Sequence, residues 1–151
     1  MSQIQNIINA VGAIEVSTTS KTPITFDLTN ARDSVRTTPA RVVFPMQTGD
    51  NEGRDMSFVT LGTLVTIEWT LADLMLYSPV KAGTTLQSAL PELVTYVGNY
   101  IATIKTQHKL GLSHVTVTSV DYEWNQFIFP ENSKNEYYGV LMMLKIKEII
   151  P

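Results

Sequence analysis

The chain has 151 residues, of which 44% are hydrophobic and 17% are charged, and its formal net charge is −3. This length and composition predict one globular domain over residues 1–151 and exclude a disordered protein. The absence of cysteine excludes a disulfide framework and a thiolate metal site, and the 11 Lys and Arg residues form no run of the kind that nucleic-acid-binding surfaces carry.

The first predicted element is a short helix near the N-terminus. Apolar residues recur at helical spacing from Ile4 to Val11, with Ser2 as the predicted N-cap and Gly12 as the predicted stop. The same region lacks a basic segment, so we expect no signal peptide, and no apolar run is long enough to span a membrane. The sequence therefore predicts a soluble protein that is made in a cytoplasm.

The next stretch alternates between polar connections and short strands. Residues 17–36 are rich in Thr, Ser, Asn and Asp, and with Pro23 among them they predict an irregular connection containing one edge strand. Residues 40–44 are mostly β-branched or aromatic and are followed directly by Pro45, which is typical of a short strand. Residues 46–56 contain two glycines and four charged residues and predict a loop.

The middle of the chain predicts a strand and then a turn of helix. From Phe58 to Trp69 the apolar residues occupy alternate positions, which predicts a strand with one buried face. Residues 71–77 are predicted as a helical turn that ends before Pro79. A polar turn over residues 81–85 then supplies Thr84 or Thr85 as the N-cap of the next helix.

A long amphipathic helix between residues 86 and 109 is the strongest pattern in the chain. Its apolar positions predict a single stripe that consists of Leu86, Leu90, Leu93, Val94, Val97, Ile101 and Ile104. Gly111 marks its C-terminal end. Pro91 lacks an N–H and clashes with the preceding turn, so the helix either kinks there or begins near Leu90, and we favour a start near Leu90.

The C-terminal third predicts two long strands. The apolar residues of the first strand change parity between Val117 and Val120, which predicts a β-bulge near Thr118 and Ser119. Residues 138–146 alternate as the second strand, and residues 125–136 form the predicted loop between them. Together these elements predict an α+β fold, with a mixed, mainly antiparallel β-sheet of about four strands packed against two helices and a long C-terminal β-hairpin.

The sequence contains no catalytic or metal-binding constellation. His108 and His114 have neither of the spacings that metal sites use on a helix or a strand, and we interpret them as surface residues. Asp121 and Glu123 are better explained as the solvated face of a strand than as a catalytic pair. The acidic loop at residues 50–55 lacks calcium-loop spacing, and phosphate-binding, dinucleotide-binding, nucleophile-elbow and zinc-protease motifs are absent. We therefore expect no enzyme, no cofactor and no metal.

The order of motifs resembles that of the tail-terminator and neck proteins of long-tailed bacteriophages. The resemblance is carried by VTIEW (65–69), LADLML (71–76), a Gly and Thr turn, LPELVTYVGNYI (90–101) and KLGL (109–112). The early helix, the proline-fenced strand with its loop (VVFPMQTGDNEGRD) and the closing hairpin are also similar. The resemblance covers most of the chain through patterns rather than diagnostic signatures. The polar insertion at residues 17–36 departs from it, which leaves terminator and neighbouring neck protein as alternatives.

The resemblance implies a structural protein of the virion, assembled in the host cytoplasm. Such a protein forms a ring, commonly a hexamer, that caps the tail tube and joins it to the head connector. The implied partners are further copies of the chain, the tail tube protein and connector or neck proteins, with DNA only passing through the lumen and no membrane. An acidic protein suits that conduit because a negative lumen does not grip the passing phosphates.

On this interpretation two loops are inter-subunit or ring-to-ring arms. The candidate contact residues are Met46, Thr48, Asp50, Asn51, Arg54, Asp55, Asn125, Phe127, Phe129, Asn132 and Lys134. The two phenylalanines lie in a predicted polar loop, where they mark either a partner contact or a loop that folds back and buries them.

Two further hypotheses remain. The first is a soluble adaptor or small-ligand-binding module, whose site would be an apolar pocket between helix and sheet. The second is an enzyme, which would require carboxylates such as Asp73, Asp121 or Glu123 to converge in a cleft.

Overall fold

The fold follows from a computed structural model that describes residues 3–26, 37–46, 54–58, 64–129 and 134–151, with the backbone alone for residues 54–58. These residues form two helices, α1 (Ile4–Ala13) and α2 (Leu86–Thr106). The strands are β1 (Ile24–Thr25), β2 (Ala40–Pro45), β3 (Arg54–Phe58), β4 (Val65–Pro79), β5 (Val115–Ile128) and β6 (Glu136–Ile150). The predicted fold class is confirmed, as a single α+β domain with a C-terminal hairpin. However, the described sheet has six strands instead of about four.

One sheet organises the described part of the molecule. Its strands follow the order β1-β2-β4-β6-β5, and β3 pairs with β4 beyond the stretch that β2 occupies. β1 is the edge strand that was predicted within residues 17–36, and it pairs with β2 in parallel. The other described pairings are antiparallel. The central strands β4 and β6 pair along most of their length, with an irregularity between Leu76 and Ser78.

Strand β4 replaces a predicted helical turn. The prediction of a turn of helix at residues 71–77 is wrong, since β4 runs without interruption from Val65 to Pro79. Here β4 lies between β2 and β6, and residues 71–76 are all buried. A strand that is covered on both faces appears as a continuous apolar run, which periodicity alone cannot distinguish from a buried helix.

Both helices pack on the same face of the sheet, α1 mainly on β2 and α2 on β5 and β6. The predicted ends of α1 are wrong: its N-cap is Gln3 rather than Ser2, and Gly12 lies inside the helix, which ends at Ala13. No side chain of its own caps α1. Its termini therefore depend on partners from the sheet.

Helix α2 begins at Leu86, which corrects the predicted start near Leu90. Thr85 is the N-cap, and it forms a reciprocal capping box with Ser88 in which each side chain accepts the other residue's N–H at 3.2 Å. Pro91 lies inside the helix as a result. A favourable cap at Thr85 and the buried face that follows outweigh the one hydrogen bond that Pro91 cannot make.

The main core lies between the helices and the sheet. Its side chains without solvent exposure are Ile7, Val11, Leu71, Met75, Leu93, Tyr96, Tyr100, Val140, Met142, Leu144 and Ile146. A second cluster on the other face consists of Val42, Leu74, Leu76 and Tyr137.

The C-terminal hairpin is longer than predicted. The bulge expected near Thr118 is confirmed as a shift in register between Val117 and Ser119. The loop predicted at residues 125–136 is wrong in extent, because β5 continues to Ile128 and β6 begins at Glu136. Cross-strand pairing therefore extends further towards the turn than the polar sequence indicates.

Candidate functional site

The first predicted contact loop is only partly described. Met46 is half-buried after β2, and its N–H donates to the carbonyl of Thr70 at 2.9 Å. Arg54 and Asp55 belong to strand β3, so the prediction of a loop at these two positions is wrong. Thr48, Asp50 and Asn51 lie outside the described residues.

The second predicted contact loop contains strand residues as well. Asn125 and Phe127 belong to β5, which corrects their placement in a loop. Phe127 and Phe129 are half-buried against the second cluster, and the Phe129 ring meets that of Phe26 edge to face at 5.9 Å. This geometry agrees with the folded-back interpretation of the two phenylalanines. Lys134 is exposed in the connection to β6, and Asn132 lies outside the described residues.

The described parts of the two loops are far apart. Met46 bonds to Thr70, which pairs with Lys145, whereas the hairpin turn leads into Glu136. These two β6 residues are nine positions apart, which is about 30 Å of extended strand. Among the described residues, the predicted contact residues of the two loops therefore lie on separate parts of the sheet.

An exposed edge of the sheet is the more distinctive surface. β5 is the outermost strand on its side, and β6 is its one described strand partner. At its beginning, the N–H of Val117 donates to the carbonyl of His108 at 2.7 Å, so the turn after α2 covers this end. Beyond the bulge, residues 119–128 form an edge ten positions long that lies beside no described strand. Edges of this length are templates for pairing with another chain.

Side chains of β5 occupy part of this edge. Asp121 Oδ1 accepts the backbone N–H of Tyr122 at 2.8 Å, and Asn125 Oδ1 accepts the N–H of Gln126 at 2.8 Å. Asn125 in turn donates its amide to Glu123 Oε1 at 3.2 Å. These contacts satisfy edge N–H groups without a partner strand and place charge along the edge. Both features are ways in which proteins limit uncontrolled pairing.

An aromatic pair flanks the edge on the helix side of the sheet. The rings of Tyr122 and Trp124 lie 5.0 Å apart and are tilted by 31°. Tyr122 is 42% exposed, and Trp124 is half-buried against the main core. Tyr and Trp are the residues most often found at the energetic centres of protein interfaces.

Two exposed apolar residues of α2 lie on the flank next to β5. Glu92 and Asn99 form hydrogen bonds with residues 17–19, the segment that leads into β1. At about 100° per residue, Val94 and Ile101 lie roughly 160° around the helix from them. That direction points away from residues 17–19, towards the β5 side of the sheet on which α2 packs. The two side chains are 50% and 44% exposed, so the prediction that they belong to the buried stripe is wrong.

We call this region the β5 edge surface and define it as the edge of residues 119–128 with the side chains of Tyr122, Trp124, Val94 and Ile101. It combines strand backbone that pairs with no further described strand with adjacent apolar side chains. Sequence reasoning missed it as a site, although the shared parity of Tyr122 and Trp124 was visible. The decisive property, that β5 is outermost, depends on the strand order.

A buried ionic network supports the sheet beneath the helices. Arg41 Nε donates to Asp73 Oδ1 at 2.7 Å, and Arg41 Nη2 also contacts Asp73 Oδ2. Arg41 further donates to the carbonyl groups of Val11 and Ile14, at the end of α1. Burial alone would lower the pKa of Arg41, but the hydrogen bond and charge of Asp73 raise it above its usual value. The guanidinium therefore stays charged and fixes the end of α1.

Two tyrosines complete this network. The Tyr100 hydroxyl donates to Asp73 Oδ2 at 2.6 Å, while the Tyr96 hydroxyl is buried without a hydrogen-bond partner among the described residues. Burial, reinforced by the charge of Asp73, raises the pKa of both phenols well above its ordinary value. Both tyrosines therefore remain protonated. Both pack in the core, and Tyr100 is also a hydrogen-bond donor.

The carboxylates of the enzyme hypothesis do not converge. Asp73 faces the helices, where Tyr100 reaches it. Asp121 pairs with Met143 rather than Met142, the partner of Asp73, so its side chain points to the other face. Asp121 and Glu123 are exposed, as expected for a solvated strand face.

The described residues form neither a metal site nor a membrane-spanning helix. No three His, Asp or Glu side chains of the described part are placed to hold a metal ion together. Neither described helix is long and apolar enough to cross a bilayer. His108 and His114 are exposed, as expected from their spacing.

No model of a protein family matches this chain, and no match to a curated protein was found. A proposal for its function therefore depends on the motif order and on the geometry described above.

Proposed function

We propose that this chain is a structural virion protein that assembles through the β5 edge surface into a ring at the junction of phage tail and neck. There the ring caps the tail tube and joins it to the head connector. The β5 edge surface is the observation that carries self-assembly, and the motif order resembling tail-terminator and neck proteins supplies the place in the virion.

The two edges of the sheet are unlike, which favours a ring over a simple dimer. One edge is the continuous strand β5, and the other is formed in the described residues by the short strands β1 and β3. Two β5 edges that pair with each other give an isologous dimer and stop there. A contact between unlike surfaces repeats from subunit to subunit and closes as a ring when the rotation permits.

The apolar part of the surface adds to the backbone hydrogen bonds of such a contact. A strand of a second copy that pairs along residues 119–128 would lie beside Tyr122 and Trp124. The same neighbouring copy would then cover the exposed parts of Val94 and Ile101. Burial of aromatic and aliphatic side chains at the centre of an interface supplies most of its affinity.

The proposal is tested with matched lysine substitutions on α2 and β5. Ile101→Lys and Tyr122→Lys place a charge within the β5 edge surface, whereas Ala102→Lys alters the next, solvent-facing position of the same helix. Native mass spectrometry over a concentration series and negative-stain images of the same samples measure assembly. We expect closed rings of one stoichiometry for the wild type and Ala102→Lys, and monomers for the other two variants.

Two results would contradict the proposal in different ways. Rings that persist in an Ile101→Lys/Tyr122→Lys double variant would show that another surface makes the contact. Wild-type protein that remains monomeric at the highest attainable concentration would remove the self-assembly itself. The place in the virion is tested separately, by imaging whether the protein binds one end of purified tail tubes.

A further inference from the structure

A shallow cavity opens at the end of the sheet opposite the hairpin turn. It lies where α2 is followed by a turn, where β5 begins and where β6 ends, and its volume is about 400 Å³. Five polar side chains line it: Lys109, Ser113, His114, Thr116 and Lys147. Leu112, Val115 and Ile149 supply the apolar part of the wall.

Every polar side chain that lines the cavity can donate a hydrogen bond. Two lysines and a histidine bring positive charge or N–H donors, the two hydroxyls can donate as well, and no lining residue is acidic. The chain itself has no Asp or Glu between Glu92 and Asp121. In a protein of net charge −3, such a cavity is a local reversal of sign.

Neighbouring carboxylates are already engaged elsewhere. Glu148 follows Lys147 in β6, but its side chain is buried on the helix face, where Gln3 N–H and Trp69 Nε1 donate to it at 2.6 and 2.9 Å. Glu68 lies across from Lys147 in the sheet, and its carboxylate is 4.0 Å from Lys145 Nζ instead. Glu148 is therefore directed away from the cavity, and Glu68 is not among the residues that line it.

The backbone fixes the basic residues around the opening. Thr116 and Lys147 are direct cross-strand partners, so their side chains share a face. His114 has a φ of 62°, and its carbonyl accepts the N–H of Ile149 at 2.9 Å. The bond to Ile149 therefore fixes the backbone of His114 beside the end of β6.

We propose that this cavity is an anion site for a phosphate group, with Lys109 and Lys147 as charged contacts and His114, Ser113 and Thr116 as hydrogen-bond donors. Lysine ammonium groups bind phosphate as mobile point charges, and hydroxyls complete the shell of its oxygens. The phosphate can come from a free phosphate compound or from the backbone of a nucleic acid. The inference is independent of ring formation, because it uses none of the residues of the β5 edge surface.

The two histidines make the site directly observable. The chain contains only His108 and His114, so the ring signals of an untagged protein in proton–carbon NMR spectra are two and assignable. Inorganic phosphate is titrated at constant pH and ionic strength against sodium chloride. We expect the His114 signal to move in a saturable way with a Kd on the order of 1–10 mM, while the His108 signal stays in place.

Paired lysine variants localise the effect. Lys109→Gln/Lys147→Gln should weaken phosphate binding roughly tenfold or more, since it removes both charged contacts. The matched variant Lys81→Gln/Lys134→Gln changes two exposed lysines elsewhere and should bind as the wild type does. Lys147→Arg keeps the charge and should retain binding, and the dispersion of the proton NMR spectrum of Lys109→Gln/Lys147→Gln shows whether that variant is folded.

The remaining outcomes identify the source or reject the site. A short single-stranded DNA that moves the same signals at far lower concentration would assign the phosphate to a nucleic acid, and a response to inorganic phosphate alone would assign it to a small compound. An unmoved His114 signal, or an equal response to chloride, would overturn the proposal. A glutamate-rich peptide that binds more tightly than either phosphate source would overturn it in favour of an acidic protein partner.

Discussion

At the scale of single residues, the clearest dependence is that of the buried pair Arg41 and Asp73. Asp73→Ala leaves the Arg41 guanidinium charged and buried without its carboxylate, so we expect a loss of about 3–5 kcal/mol in the free energy of unfolding. A double variant, Arg41→Met/Asp73→Leu, removes both charges and should recover most of that loss. Urea unfolding measures the free energy of unfolding of both variants. A double variant no more stable than Asp73→Ala would show that the carbonyl contacts of Arg41, rather than charge pairing, dominate.

Two glycines offer opposite expectations for the same substitution. A Cβ at Gly139 would lie 2.2 Å from the carbonyl oxygen of Met75, a backbone atom that cannot move aside cheaply. Gly139→Ala should therefore destabilise the protein by about 1–3 kcal/mol or more. A Cβ at Gly98 of α2 meets nothing within 4 Å, and Gly98→Ala should stabilise the helix by about 0.5–1 kcal/mol. Thermal unfolding of the two variants tests this, and a shift in the same direction for both would contradict it.

At the scale of elements, α1 is held by charges that other elements supply. The carboxylate of Glu148 accepts the N–H of Gln3 at the N-terminal end, and Arg41 bonds to carbonyl groups at the C-terminal end. Both signs match the helix dipole, with the anion at the start and the cation at the end. Since α1 has no side-chain cap of its own, its position depends on β2 and β6.

Helix α2 is tied to the segment after α1 by a pH-sensitive contact. Glu92 Oε2 accepts the N–H of Thr19 at 2.9 Å, and the hydrogen bonds of Thr19 lower the pKa of Glu92 below its ordinary value of 4.5. A carboxylate with a lowered folded-state pKa adds stability that is fully present above about pH 4.5 and is lost as the pH falls through the folded-state pKa.

The corresponding test compares the pH dependence of unfolding in wild type and Glu92→Gln. We expect the wild type to be the more stable at neutral pH, and the difference to shrink only at pH values below about 4.5. A difference that is the same from pH 7 to pH 3 would mean that the Glu92 carboxylate does not act through its charge. Glu123→Gln, on the exposed face of β5, is the control for a general effect of charge.

The elements show which parts of the fold local sequence determines. The presence of α2 and the parity change at the bulge of β5 are periodic signals within one segment and were predictable, although Val94 and Ile101 of the predicted stripe are exposed. Residues 71–77 were not, because their strand conformation comes from β2 and β6, which lie far away in the chain. Thr85 is one of the two N-caps that the sequence predicted for α2, but Pro91 favoured a later start because the reciprocal bonds of Thr85 with Ser88 are not visible in the sequence.

At the scale of the whole molecule, the candidate site could not be read from the chain. Whether β5 is central or outermost is a property of strand order, and the exposure of Val94 and Ile101 follows from where α2 lies on the sheet. The predicted contact loops came from the family resemblance and from local loop signals, neither of which determines the strand order. The cavity beside His114 likewise gathers basic residues that are separate in the sequence.

The side chains that occupy the β5 edge give the last prediction for assembly. A strand that pairs there must displace Asp121 from the N–H of Tyr122 and Asn125 from that of Gln126. In Asp121→Ala/Asn125→Ala these two hydrogen bonds, worth about 1 kcal/mol each, no longer oppose pairing, so the midpoint concentration of assembly should fall roughly 10- to 30-fold.

Charge and hydrogen bonding can be separated within the same edge. Glu123→Ala removes a carboxylate from the same face of the strand. This carboxylate contacts a side-chain amide rather than a backbone N–H. If Glu123→Ala lowers the midpoint as much as the double variant does, electrostatic repulsion limits assembly. If only the double variant lowers it, the two side chains hold the edge closed until a second copy competes for its N–H groups. An unchanged midpoint in both would mean that the edge of β5 is not where subunits meet.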